Sequence, residues 1–546
     1  MQADVGTLDG MPAQSVVSDY EAHHPAIAAN KKFRWWILIG LVVSAVLEVM
    51  DTSILNVALP QMAGSLGATT TDIAWVSTAY LLANVVVLPM TAWVAQRFGR
   101  KNYLVASIIV FSISRLMCAF SHDLGTVIVW RLIQGAAGAS LISISQAVIA
   151  DIFPAEQQGM VQAIFGIGLV VAPAVAPLLG GWIVDNSTWR VVFYIHVPIA
   201  LFALYLVDIL YTDASTQSSR AKAGKLDVPG IAFLAIGFGS LQYVLEEGQR
   251  NDWFNDAFIA RVSIAAVCGI IAMIIWELWP TNKAPIVNLR VYGNRGLWSA
   301  VVISFMMGVG MYAVNYAFTM LVEYVLGFTP IKAGLAALPL GAGAFVGLLI
   351  IAAVTNLVDV RILVIIGLLL SATGSWMLGF CSANTGIEHT WICVGMIGFG
   401  IGFAMIPVTT AAFAALEPEE SADGAAQLGL GRQLGGSFGI AILNTYISHM
   451  NDTHRAVLLE HLTRTNQTFT HAVSGMAGMF SQHGMHGGIG QAAAMGIVSE
   501  FVQLQSAIMA YNNGFQLVSI IFLACIPLTF LLKAPPIGQG SATPAH

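Results

Sequence analysis

Two acids, Glu48 and Asp51, stand inside the first long apolar segment of the chain, in the run Leu47-Glu48-Val49-Met50-Asp51-Thr52-Ser53-Ile54-Leu55-Asn56-Val57-Ala58-Leu59-Pro60. A carboxylate at the centre of a membrane-spanning helix costs about 2.5 to 3.5 kcal/mol on insertion scales, so acids kept there usually mark an ion or proton path. Their spacing of three places both on one helical face. Counted from an outer boundary near Pro60 at about 1.5 Å per residue, Asp51 lies about 13 Å deep and Glu48 about 18 Å. Arg131, in the fourth apolar segment, lies about 11 Å below the same boundary and so shares the level of Asp51. Burial penalises the charged form of a carboxyl group and a nearby guanidinium favours it. A site that alternates between such surroundings takes up a proton on one side of a membrane and releases it on the other. Glu48, Asp51 and Arg131 are therefore the expected proton-coupling group, with the two acids titrating as a coupled pair; a static ion pair between Asp51 and Arg131 is the structural alternative. Arg115 falls at nearly the same depth, and its long stem is expected to carry it to the outer interface. Glu277 and Glu323 fall near segment ends, where an exposed acid costs little.

The elements that hold these residues are apolar helices. The 546 residues are 57% hydrophobic and 10% charged, which excludes a soluble enzyme. Spanning a hydrocarbon core of about 30 Å takes about 20 apolar residues in helical form. Fourteen segments between residues 35 and 533 qualify, so the fold expected is an all-α polytopic membrane protein with 14 transmembrane helices. Polar breaks divide it into a tail (1–34), a six-helix bundle (35–212), a linker with two extra helices (213–296), a second six-helix bundle (297–533) and a tail (534–546). Lys31, Lys32 and Arg34, then Arg97, Arg100 and Lys101, then Arg220, Lys222 and Lys225, then Lys283, Arg290 and Arg295 all fall on one side of this plan. The positive-inside rule puts that side, and both termini, in the cytoplasm. No cleavable signal sequence is expected at the N-terminus, since a basic stretch followed by a short apolar core is missing. Cys118, Cys268, Cys381, Cys393 and Cys525 read as packing residues, no cofactor is implied, and no basic aromatic cluster points to nucleic acid.

The fifth and thirteenth segments are both rich in small residues: Gly166, Gly168, Pro173, Pro177, Gly180 and Gly181 in one, Gly429, Gly431, Gly435, Gly436 and Gly439 in the other. Each is the fifth helix of its six. Small residues spaced by three and four let backbones approach, and matching positions in two halves are what a transporter built from parallel repeats shows. Residues 450–504 form a long outer segment, expected to make a helical hairpin with the start of the last helix. It also carries His471, Met476, Met479, His483, Met485 and His486, soft and imidazole groups suited to copper but spaced like no fixed metal site.

Several stretches resemble a known family. Asp51-Thr52 through Pro60 resembles the first-helix motif of the fourteen-helix drug:proton antiporters of the major facilitator superfamily, the EmrB/QacA family. Ala92-Trp93-Val94-Ala95-Gln96-Arg97-Phe98-Gly99-Arg100-Lys101 is similar to the superfamily's loop between helices two and three, Arg131 through Ala139 to its fourth-helix motif, and Ala172 through Gly181 to its antiporter motif. Trp189-Arg190, Leu241 through Gln249 and Arg432-Gln433-Leu434-Gly435-Gly436 extend the likeness along nearly the whole chain. The resemblance implies alternating access by two six-helix bundles around a midplane cavity, with proton entry driving export of hydrophobic or amphipathic compounds. It implies substrate contacts at Tyr80, Gln134, Tyr312, Asn315 and Tyr316, and an antiporter helix shaped by Pro173, Pro177, Gly180 and Gly181. An EmrA-like periplasmic adaptor and a TolC-like outer-membrane channel are the implied partners of a bacterial inner-membrane pump. There are departures. Gln96 stands where the superfamily has Asp and Ala92 where it has Gly, so Arg97 and Arg100, with Gly99, are expected to close the cytoplasmic gate through Asp151. Ala176 replaces a Gly before Pro177, and His196 stands where Asn is common, either as a satisfied polar residue near the outer interface or as a further titrating group. Transport of a defined metabolite such as a siderophore or sugar, or a non-transporting receptor role, are the alternative readings.

Overall fold

The computed structural model describes residues 25–213 and 227–532, apart from 281, 283–284, 355–357, 415, 417–419, 461, 463–465 and 483–487. Arg220, Lys222, Lys225, Lys283, Arg464, His483, Met485, His486 and both chain ends beyond these limits lie outside the described residues. The rest is helical, with no strand among the described residues.

The long helices are α1 (Arg34–Leu66), α2 (Trp75–Phe98), α3 (Arg100–Phe120), α4 (Leu124–Ile152), α5 (Ala155–Asn186), α6 (Arg190–Leu210), α7 (Val228–Glu247), α8 (Ala257–Glu277), α9 (Arg295–Met320), α10 (Pro330–Val354), α11 (Val360–Leu378), α12 (Ile387–Phe413), α13 (Ser421–Glu460), α14 (Gln467–Gln482) and α15 (Gly488–Cys525). Their starts are written in the sequence: Asp123, Asp227, Asp256, Asn294 and Asp359 each accept a backbone N–H of the first turn that would otherwise lack a partner. Helix α1 was expected to stop near Pro60. It runs on to Leu66, ending where Gly67 at φ +63° returns its N–H to the Ala63 carbonyl, a left-handed cap that glycine adopts without strain.

Among the described residues thirteen helices are long and apolar enough to cross a bilayer. Helix α13 is not one of them, because Gln427, Arg432, Gln433 and its glycines dilute its hydropathy. It nevertheless packs inside the second bundle, between α9 and α15. Its Gly431, Gly435 and Gly439 lie one turn apart, against Val301, Phe305 and Val309 of α9. In the first bundle, Gly168 and Gly180 of α5 face Val42 with Val46, and Ile54, of α1. The fifth helix of each six thus packs its small residues on the first, a repeat visible in side-chain contacts.

We call the side where α1 begins and α15 ends the terminal face, and the other the distal face. The bundles meet along α5 and α10, where Ala163 packs with Leu348, Ile351 and Phe403, and near the terminal face, where Ala92 and Ala147 pack with Ala425 and Ala426. Helices α7 and α8 form a hairpin outside the bundles, held by Leu234, Phe238 and Met273 against Val85 and Leu88 of α2 and Leu430 of α13. Trp253, in its connecting loop, donates from Nε1 to Gln249 and to Thr445 of α13. At 38 residues α15 is about 57 Å long, nearly twice the hydrocarbon core, so its first half projects from the distal face with α14 against it.

Candidate functional site

Asp51 is buried at the centre of the first bundle, 1% exposed, and both its oxygens are taken. Arg131 of α4 donates from Nη1 to Oδ2 at 2.5 Å and Arg115 of α3 donates from Nη1 to Oδ1. Gln134, one turn along α4 from Arg131, donates its amide to Oδ1 at 2.9 Å and accepts from Arg131 at 2.9 Å. Arg131 also donates from Nε to the Val76 carbonyl of α2 at 2.9 Å, and its guanidinium lies 4.5 Å from the centre of the Tyr80 ring. Two glycines make this approach possible. A side chain at Gly135 would collide with the Tyr80 backbone, and one at Gly138 with the Tyr80 hydroxyl.

The expectation that Arg115 reaches the outer interface is wrong. Its side chain turns inward and is 1% exposed. The ion pair to Asp51 offsets the burial of both charges, and the second amino group donates to the Val192 carbonyl at 3.1 Å and meets His196 Nδ1 at 2.8 Å. Nδ1 also lies 3.1 Å from the Val192 carbonyl, but a guanidinium only donates, so Nδ1 is assigned as the acceptor from Arg115, the carbonyl is left to Arg115, and the ring hydrogen is placed on Nε2. His196 is buried, with Nε2 lacking a partner among the described residues.

Glu48 has different company. Its carboxylate accepts from the Asn84 amide of α2 at 3.1 Å and from the Ile142 backbone N–H of α4 at 3.2 Å. No cation bonds it. A cationic influence reaches it through space from Arg432 of α13, in the other bundle, which has no ion-pair partner among the described residues. Arg432 lines a small cavity inside the second bundle with Ser304, Met307 and Met311 of α9 and Ile401, Met405 and Thr409 of α12.

The proposed contacts to substrate divide into two groups. Tyr80 and Gln134 are fixed within the charge cluster, whereas Tyr312 packs against Gly436 within electrostatic reach of Glu48 and Arg432. Asn315 is exposed farther along α9, with Tyr316 half-buried beside it. At the terminal face Arg100 pairs with Asp151, and Gly99, at φ +92°, makes the turn between α2 and α3 that a side chain would strain. Arg97 is exposed and does not join this pair. Pro173 and Pro177 lie inside α5 without ending it, Gly180 meets Ile54, and Gly181 is buried. Glu277 was expected to be exposed and is buried: Asn282 donates to both Glu277 and Asp227, and Val287 donates its N–H to Glu277. Glu323 lies half-buried in a wide turn at Leu321–Val325. Among the described residues no group of three or more His, Cys, Asp or Glu side chains is arranged to hold a metal. Asn84 was not singled out from the sequence, Arg432 was read only as part of a motif, and Arg115 was placed at the right depth but at the interface. Asn84 had a signal, as a lone polar residue in the apolar stretch Leu81–Val87.

Thirteen helices among the described residues that are long and apolar enough to span a bilayer, paired bundles with repeated packing and a charge cluster walled from solvent define a polytopic membrane transporter. The chain belongs to the Major Facilitator Superfamily, whose family model matches residues 41–440. It is 30% identical over 505 residues to the multidrug export protein EmrB of Escherichia coli, covering 92% of this chain and 96% of that one. It is 28% identical over 516 residues to the probable multidrug resistance protein EmrY of the same organism, covering 93% and 96%. Among solved structures, a double-tryptophan mutant of XylE aligns with a TM-score of 0.61 at 13% identity, covering 93% of this chain and 98% of that one, a likeness of fold alone.

Proposed function

We propose that this chain is a proton-driven exporter of hydrophobic or amphipathic compounds in a bacterial inner membrane, with the terminal face in the cytoplasm and fourteen spanning helices. The names of the relatives support export of many compounds. One observation carries the coupling: two acids one helical turn apart have opposite surroundings, Asp51 bonded to two guanidiniums and Glu48 only to neutral donors. Asp51 is then the fixed anion that holds α1, α3 and α4 together. Glu48 is the group that takes and gives up the proton, which divides between the acids a role that the sequence suggests they share. When Glu48 is ionised it attracts Arg432 across the bundle interface, and when it is protonated that attraction is gone. Its charge state therefore biases how the two halves sit, and a protonated Glu48 lets them rock.

Everted vesicles loaded with a dye panel test this reading. Glu48→Gln is expected to abolish accumulation driven by a pH gradient while substrate counterflow continues. Unchanged pH-driven transport in Glu48→Gln would sink the coupling assignment. The family resemblance further implies an EmrA-like adaptor and a TolC-like channel as partners. We place adaptor docking on the projection of α14 and the first half of α15, where Met479, Ile489, Ile497 and Phe501 are exposed beyond the bilayer; apolar side chains clustered in water mark contact surfaces.

A further inference from the structure

The α7–α8 hairpin leaves a groove of about 550 Å³ against the first bundle. Leu82, Val86 and Leu132 form the bundle wall, and Gly239, Tyr243 and Phe258 belong to the hairpin. The lining is apolar apart from the hydroxyls of Ser240 and Tyr243, and its volume is that of a small-molecule site. Counted along each helix from the distal face, the lining runs from about 2 Å to about 18 Å deep, which is one leaflet of the bilayer. Its lining falls within the depth of that leaflet, so molecules dissolved there are in position to enter it. Trp75, Tyr243 and Phe258 stand in a row across its distal end, with ring centres 5.7 and 5.8 Å apart.

Charge appears at the rim alone. Arg261 lies on α8 between the lining residues Phe258 and Val262, about 6 Å below the distal end of the helix. It is exposed, its Nε donates to the Ala257 carbonyl at 3.0 Å, and it forms no ion pair with a described residue. The terminal amino groups of such a side chain snorkel to the headgroup level, where their planar fork suits a phosphate. An uncharged trough one leaflet deep beneath an unpaired guanidinium at headgroup height has the layout of a phospholipid.

We propose that this groove holds a phospholipid of the distal leaflet, with an acyl chain along Leu82, Val86, Leu132 and Gly239 and its phosphate on Arg261, cementing the helix hairpin to the first bundle. Gly239 offers the means to fill the groove, because a Cβ there meets only Val86 at an ordinary 3.5 Å. Protein purified in mild detergent, washed to remove loose lipid and examined by native mass spectrometry is expected to retain one phospholipid per chain. Gly239→Leu and Arg261→Gln are each expected to lower retention about tenfold, the worth of one charge-assisted hydrogen bond or a filled trough, while Arg261→Lys keeps most of it. Addition of 1-palmitoyl-2-oleoyl-phosphatidylglycerol to delipidated protein should restore the bound species and raise the thermal midpoint of the parent but not of Gly239→Leu. Parent protein that holds no lipid, or variants that hold as much as the parent, would overturn the proposal. Retention lost in Gly239→Leu but kept in Arg261→Gln would equally overturn it, since the occupant would then be a chain without a bound phosphate. Size-exclusion profiles matching the parent show that the variants are folded.

Discussion

Asp51 carries two positive neighbours, and that asymmetry separates its role from that of Glu48. Removing its charge leaves Arg115 and Arg131 buried without a counter-ion, and breaking a buried pair in this way costs about 3 to 5 kcal/mol. Asp51→Asn is therefore expected to lower the thermal midpoint and the yield of folded protein. Glu48→Gln keeps an acceptor oxygen for the Ile142 N–H, and Asn84 can turn its amide so that its oxygen accepts from the new NH2, so stability should stay within about 1 kcal/mol of the parent while pH-driven transport fails. Melting curves in detergent beside vesicle transport check both, and equal destabilisation by the two substitutions would contradict the division of roles. The pairing of Asp51 with Arg131 was legible because depth along a helix follows from counting residues. Arg115 was misplaced for a related reason: depth alone does not say whether a long side chain turns inward or toward the interface. The direction is set by which helix lies alongside, and here α1 presents Asp51 to α3. Arg432 was beyond reach for the same cause, since it depends on how the second bundle sits against the first.

At the scale of elements, the glycines of α13 illustrate what a stripe of small residues does. Gly435 lies so close to the Phe305 backbone that any Cβ would collide with it, while Gly429 meets only Leu88 at 3.7 Å. Gly435→Val should therefore push α13 off α9 and cost about 1 to 3 kcal/mol or more through overpacking, and Gly429→Ala should be tolerated. Fluorescence-detected size exclusion after graded heating distinguishes them; a Gly435→Val protein that melts with the parent would show that the two helices do not pack as described. The matching of the fifth and thirteenth segments was visible in composition. Their partners were not, because spacing marks a close-packing face without naming the helix that fills it. Helix α1 gives the opposite lesson: Pro60 was read as a stop, but a proline in a long membrane helix is tolerated where neighbouring groups satisfy the freed carbonyl, and the true signal was Gly67.

Across the whole molecule, the terminal face is closed by small side chains from both bundles. Ala92 and Ala147 of the first meet Ala425 and Ala426 of the second, so alternating access requires these surfaces to part. A Cys pair at Ala92 and Ala425, introduced in a background lacking the native cysteines, should cross-link readily. Transport should fall to background when oxidised and return on reduction; full transport by the cross-linked protein would mean that these surfaces do not separate during the cycle.

The same face carries a titrating group whose sign can be worked out. Asp423 lies in the first turn of α13, ahead of the part that crosses the membrane, and Asn288 donates to it at 3.2 Å. Burial pushes its carboxyl from the ordinary 3.8 up to about 6, with Glu420 adding to the rise and Asn288 and Arg100 opposing it. The folded, closed form thus prefers Asp423 protonated. Its contribution to stability is fully present below the unfolded value and is lost as pH rises through about 6, where the buried group must ionise. Asp423→Asn keeps the acceptor for Asn288 and never ionises. It should melt together with the parent near about pH 4 and above it near about pH 8, by at most on the order of 3 kcal/mol. A stability difference that stays the same at both pH values would place its cause in packing and not in the charge of Asp423.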